Sequence, residues 1–98
     1  MKGEEGLNRL AEVLKILANP TRLRILMLCA EKERSTRELR EMLGISKPLL
    51  LAHLKKLKHH KLIEARVVVE GDRGIVKLYR TVNFRICISP EELMDYVE

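Results

Sequence analysis

The chain has only two cysteines and three prolines, and it contains no tryptophan and no glutamine. Cys29 and Cys87 stand far apart, outside any CxxC pair or Cys/His cluster, which excludes a disulfide framework and a zinc-finger spacing. Both are expected to be small buried hydrophobes in a reducing compartment. No apolar run approaches the roughly 20 residues of a membrane span, and the opening Met-Lys-Gly-Glu-Glu lacks the apolar core of a signal peptide. A cytoplasmic protein with no membrane partner is expected. With 34% of residues charged and no glutamine, the composition leans toward that of thermophilic proteins. Catalytic constellations are lacking as well. No serine, histidine and carboxylate fall into a recognisable set, and Gly71 and Gly74 do not make a phosphate loop, so an enzyme is not expected.

Acid is missing from one stretch in particular. Ile45 to Ile63 holds five lysines and no Asp or Glu, while bases and acids cancel elsewhere, so the net charge of +5 equals that of this stretch. Such a distribution favours a located polyanion site over a generally sticky surface. Ser46 can cap a helix there, with Pro48 in the first turn, where its missing N–H costs nothing. Leu50, Leu54 and Leu57 follow at the i, i+4, i+7 spacing of one buried face. The opposite face carries Pro48, Leu51, Ala52, Lys55 and His59, flanked by Lys56, with Lys47 in the first turn. Short residues near a helix N-terminus with lysines behind them suit a recognition helix that meets a major groove and its phosphates. A merely solvated lysine face is the plain alternative, and the missing acids weigh against it. His53 lies beside the leucine stripe and is expected to be a hydrogen-bonded structural residue. His59 and His60 occupy adjacent positions that face different ways, so they are read as cations near the helix C-terminal carbonyls and not as metal ligands. No metal and no cofactor are expected.

The chain around this stretch can be taken in order. Glu4 to Ala18 forms a helix with Leu7, Leu10, Ala11, Leu14, Leu17 and Ala18 on one stripe, Val13 at its edge and Ile16 nearly opposite. Ile16 is either part of a second, partner-facing side or a single exposed apolar residue. Asn19-Pro20 ends this helix and starts the next, whose buried stripe is expected at Leu23, Leu26, Met27 and Ala30, widened by Ile25, Leu28 and Cys29. Glu31 to Arg34 reads as a solvated charge run. Ser35-x-x-Glu38 matches a capping box for a short helix, about 36 to 43, with Leu39, Met42 and Leu43 inward. Gly44 can take the left-handed conformation that ends it, and Ile45 plugs the corner. Helix, glycine turn and capped basic helix together make a helix-turn-helix over about 36–60. The periodicity then changes to 2, predicting a β-hairpin over about 65–82, with Val76, Leu78 and Arg80 alternating against Lys77 and Tyr79. Arg73 sits at its tip, suited to a minor groove or a phosphate. Arg66, Lys77 and Arg80 are either phosphate contacts or strand surface. Phe84, Ile86 and Ile88 allow a further short strand. Ser89-Pro90-Glu91-Glu92 opens a last helix over about 90–97, too short to stand undocked.

Three segments carry a family resemblance: Leu17-Ala18-Asn19-Pro20-Thr21-Arg22-Leu23-Arg24-Ile25-Leu26, then Leu43-Gly44-Ile45-Ser46 to His53-Leu54-Lys55, then Gly74 to Tyr79. From about Leu14 to Val82 the chain resembles the ArsR-like winged helix-turn-helix transcriptional regulators. The fold this implies is mainly α with a small antiparallel β wing, in one domain over residues 1–98. The resemblance also implies operator binding, usually as a repressor, by a homodimer built from the first and last helices. The extra apolar side of the first helix, with Val13 and Ile16, would serve that contact. The DNA-binding residues expected are thus Lys47, Pro48, Leu51, Ala52, Lys55, Lys56, His59 and Arg73, facing double-stranded DNA. Two departures stand out. Metal-sensing relatives have a cysteine pair at positions matching Ser35 and Arg37, and Leu51 stands where the family more often has a small polar residue. Leucine there suits a thymine methyl. It equally suits a protein partner, which leaves a winged-helix interaction adaptor as one alternative and a non-specific architectural DNA binder as another.

Overall fold

A computed structural model describes residues 3–96, with side chains from Glu5 onward. Its elements run α1 (Gly3–Leu17), α2 (Pro20–Glu31), β1 (Arg34–Ser35), α3 (Thr36–Leu43), α4 (Lys47–His59), β2 (Ile63–Glu70), a 3₁₀ turn at Gly71–Arg73, β3 (Gly74–Thr81) and α5 (Pro90–Met94). The three strands form an antiparallel sheet in the order β1-β3-β2. The fold is a winged helix-turn-helix.

Local chemistry sets the helix boundaries. Asn19 accepts a hydrogen bond from the Arg22 N–H at 3.1 Å, and Pro20 starts α2 where no donor is needed. At α3 both halves of the capping box form: the Glu38 N–H donates to Ser35 Oγ, and the Ser35 N–H donates to the Glu38 carboxylate at 2.8 Å. That backbone donor holds the Glu38 carboxyl below its usual range. Gly44 takes the left-handed conformation at φ 66°, and Ile45 packs against the core.

The core joins α2, α3, α4 and the base of the hairpin through Ile25, Cys29, Leu39, Leu50, Leu54, Leu57, Ile63 and Tyr79. The leucine stripe of α4 is buried as its spacing predicts, worth about 2 kcal/mol for each side chain. Burial pushes the Cys29 thiol up to about 12. Thr81 Oγ1 donates to the Leu26 carbonyl at 2.6 Å and ties β3 to α2.

Several expectations are corrected. In α2 the face turned inward is Ile25, Leu26 and Cys29, and Leu23 and Met27 are about half exposed at 51% and 55%. In α1 Val13, Ile16 and Leu17 are half-buried and pack against the core, so Ile16 is not the isolated exposed residue that its spacing allowed. α2 is apolar over most of its circumference, so a stripe read from spacing has no unique direction there; α1 has a distinct polar side of Asn8, Arg9, Glu12 and Lys15, and Ile16, which the spacing puts beside it, packs against the core. Met42 is exposed, whereas Leu39 and Leu43 point inward as expected. The run Glu31 to Arg34 is not wholly solvated. Arg34 donates to the Leu28 carbonyl at 3.0 Å at the end of α2 and pairs with Glu31, and its backbone joins the sheet opposite Tyr79. In β3 the buried residue is Tyr79, from the face opposite to Leu78, because Ile63, Ala65, Tyr79 and Thr81 share the side turned to the helices. Residues 83–88 form no strand, and Cys87 is exposed. The last helix ends at Met94, with its N-cap at Ser89 as predicted; Asp95 and Tyr96 form a turn in place of the expected continuation, and Val97 lies outside the described residues.

Candidate nucleic-acid interface

Ser46 starts α4 by accepting the Leu49 N–H at 3.3 Å, with Pro48 in the first turn. Burial of Leu50, His53, Leu54 and Leu57 on one side leaves Lys47, Pro48, Leu51, Ala52, Lys55, Lys56, Lys58 and His59 exposed on the other. All seven helix residues expected to meet DNA therefore lie on the free side of α4. Leu49, which the spacing did not single out, joins them near the N-terminus. His53 is held in place from α2: Arg22 Nε donates to its Nδ1 at 3.1 Å, and the same guanidinium donates to the Ile16 carbonyl. Burial, then the nearby Arg22 and Lys56, hold His53 below the usual histidine range, so the neutral acceptor form is favoured. At the other end His60 Nδ1 meets the Lys56 carbonyl at 3.2 Å, the helix-end contact expected of it.

The wing brings a second set of cations to the start of α4. A groove of about 330 Å³ between β3 and the starts of α3 and α4 is lined by Arg37, Arg40, Lys47, Arg73, Ile75 and Lys77, with no carboxylate among its lining residues. Arg37 is shared with Glu41 at 3.5 Å, but Arg40, Lys47, Arg73 and Lys77 make no ion pair among the described residues. Lys47 and Arg73, far apart in sequence, thus meet in one groove, while Lys55, Lys56 and His59 continue the exposed side along α4 away from it. Arg40 is not among the contacts the sequence points to, and Lys77 is one that it leaves open. The available signal for Arg40 was its i, i+3 spacing from Arg37 on the polar side of α3, just ahead of the glycine turn.

The hairpin arginines separate clearly from this set. Arg66 forms a two-armed pair with Glu33 at 2.7 Å, which lowers the Glu33 carboxyl, and Arg80 pairs with Glu64. Both point from the face of the sheet opposite to Lys77. The positions compared with metal-site cysteines have other work: Ser35 is the α3 cap and Arg37 pairs with Glu41. Among the described residues no three His, Cys, Asp or Glu side chains converge to hold a metal, and no helix is long and apolar enough to cross a membrane.

A winged helix-turn-helix with an acid-free groove between wing and recognition helix defines a class of nucleic-acid-binding regulators, and comparison with known proteins agrees. Residues 19–65 match the family described as bacterial regulatory protein, ArsR family. An HTH-type transcriptional regulator of Methanocaldococcus jannaschii is 34% identical over 86 residues, which cover 85% of this chain and 90% of that one. The HTH-type transcriptional repressor SmtB of Mycobacterium tuberculosis is 36% identical over 83 residues; the match covers 84% of this chain but 57% of the repressor. Among solved structures, the homodimeric winged helix-turn-helix DNA-binding domain of a possible ArsR-family regulator from Mycobacterium bovis superposes with a TM-score of 0.64 at 37% identity, covering 76% of this chain and 65% of that one. The chain belongs to the ArsR family and is a DNA-binding transcription regulator.

Proposed function

We infer that the protein is a homodimeric, sequence-specific repressor that lays α4 in the major groove and brings a phosphate strand through the groove between α4 and the wing. The observation that carries this reading is the convergence of Arg40, Lys47, Arg73 and Lys77, free of acid partners, beside the exposed side of α4. Pro48, Leu51 and Ala52 are short or apolar and reach base edges; Leu51 suits a thymine methyl. Lys55, Lys56, His59 and the groove cations neutralise phosphates. The 98 residues act as one DNA-binding unit, and its place of work is the cytoplasm, where operator DNA is found.

The dimer uses the outer side of α1 and the C-terminal segment. Val13 and Ile16 are half-buried against the core, and Leu7, Leu10, Ala11 and Leu14, which are not part of that packing, are the residues left for the outer side. Leu10 already borders a hollow of about 600 Å³ shared with Phe84, Ile86 and Tyr96. Ile88, Leu93 and Met94 are exposed beside it in sequence, and a five-residue α5 has little stability without a docking surface. Two-fold pairing places the two α4 helices on half-sites about one helical turn apart. Selection of bound sequences from a random duplex pool at near-physiological salt, with the solution mass measured alongside, tests this. An inverted repeat recovered by a dimer is the expected result. Retention of duplex without any motif, or a monomer mass on a single half-site, refutes it.

A further inference from the structure

We propose that the outer wing is an apolar wedge that enters the minor groove and bends the duplex, with Val69 and Ile75 as its edge. This rests on the DNA-binding reading and adds a specificity device to it. At the base of the hairpin the face carrying Ile63, Ala65, Tyr79 and Thr81 lies on the core. Along the same face the apolar pattern continues outward through Val67, Val69 and Ile75, where nothing among the described residues covers it: these residues are 57%, 80% and 74% exposed. Val69 and Ile75 are direct cross-strand partners, and Val67 stands opposite Lys77. One exposed valine needs no explanation, but three on one face form a patch. The opposite face of the outer wing differs: there Val76 and Leu78 are half-buried, in a recess beside Ser35 and Glu38 of α3.

Charge and position select the occupant. Ile75 and Lys77 line the same groove as Arg40 and Lys47, together with Val76 of the other face, so this end of the hairpin lies beside the start of α4. Arg73 and Lys77 flank the apolar pair. Of the acids at this end, Glu70 belongs to the opposite face, where it lines a recess with Glu38, Glu41 and Arg73, and Asp72 lies in the turn. Apolar side chains flanked by cations are how proteins unstack a base step from the minor groove and kink the duplex toward the major groove. The cost is least at flexible pyrimidine–purine steps and greatest at stiff A-tracts, so the wedge reads sequence without hydrogen bonds to bases.

The test uses the full chain on duplexes of about 30 base pairs that carry a selected site and a dye at each end. The step under the wing is set to either TA or an A-tract. Energy transfer on binding should rise with the parent protein, and the TA duplex should bind about tenfold tighter. Val69→Thr/Ile75→Thr keeps the β-branched shape and hence the strand; it should bind with the duplex straight and the step preference gone. A parent complex that is straight, or a double variant that bends as the parent does, overturns the wedge and leaves the DNA-binding reading standing. A change of solution mass in the double variant makes the face a contact between copies and equally overturns it. A parent that binds no duplex overturns both.

Discussion

Replacing Lys47 and Lys77 together by alanine should change how binding responds to salt more than it changes the fold. Both side chains are exposed, lie in the groove between α4 and the wing, and make no ion pair among the described residues, so each is free to neutralise a phosphate. The slope of log affinity against log salt falls by about 0.9 for each phosphate the protein no longer neutralises, so the double variant should show a slope smaller by about 1.8 for each protomer bound. Between about 50 and 200 mM salt that slope difference corresponds to roughly a tenfold smaller drop in affinity per protomer. The matched control is Arg66→Ala/Arg80→Ala, which removes the same charge from the hairpin alone. Those guanidiniums are engaged with Glu33 and Glu64 on the other face, so the slope should stay within error of the parent. Fluorescence anisotropy on one labelled duplex over a salt series measures all three proteins. Equal slopes for the two double variants would refute the assignment of the groove as a phosphate site, whatever their affinities.

Within α4 the roles should divide: Leu51→Ala is expected to alter preference among selected sites, and Lys55→Ala to weaken all sites by a similar factor, in competition binding against a panel of duplexes. The two variants losing affinity uniformly would contradict this. Acid should destabilise the fold through His53. Its folded value is lowered from the ordinary 6.5, so the stability from the neutral ring is complete above about 6.5 and is lost as pH falls through the lowered value. Denaturant midpoints should therefore drop on acidification, and His53→Gln, with an acceptor for Arg22, should show a shallower drop; an equally steep profile rules His53 out as the cause. Lys61 holds φ 59° directly after α4. Lys61→Gly relieves a left-handed conformation costing about 1–2 kcal/mol, offset by the greater freedom of glycine when unfolded, for a net gain of about 0.5–1 kcal/mol in urea melts. No gain would mean that the strain is absent.

Boundaries proved more legible in the sequence than directions. Ser35, Gly44, Ser46 and Ser89 act within a few residues of themselves, through one hydrogen bond or one dihedral, and each does what its residue type predicts. The α4 face was legible for a different reason: three leucines share its inner side with His53, and lysines hold much of the rest, so only one direction satisfies both water and core. Neither help exists in α2, where Leu23, Met27 and Ala30 are as apolar as the residues actually buried. The partners of Arg66 and Arg80 were out of reach too. Glu33 meets Arg66 only because β1 joins β3, and a two-residue strand leaves no periodicity to read. The groove cations have the same history: Arg40, Lys47 and Lys77 come from three elements, and the turn at Gly44 together with the sheet register is what brings them to one place.

The misread direction of α1 yields a final prediction. Leu7, Leu10, Ala11, Leu14, Leu17 and Ala18 share a stripe, and Val13, Ile16 and Leu17 are what the core receives, so Leu17 sits on the border between an inner and an outer side. If the outer side is the dimer contact, a charge placed there separates protomers without disturbing the core, whereas a charge on the inner side disturbs the core first. Leu10→Glu should thus halve the solution mass while keeping the helical circular dichroism, and half-site affinity should survive as operator affinity falls. Ile16→Glu puts a carboxylate where a half-buried side chain packs against the core, at a cost of about 1–3 kcal/mol, a large share of what a chain this size commands. It should melt early at any concentration. The reverse outcome, with Ile16→Glu folded but monomeric and Leu10→Glu unfolded, would show that the helix meets its partner through the side that here faces the core.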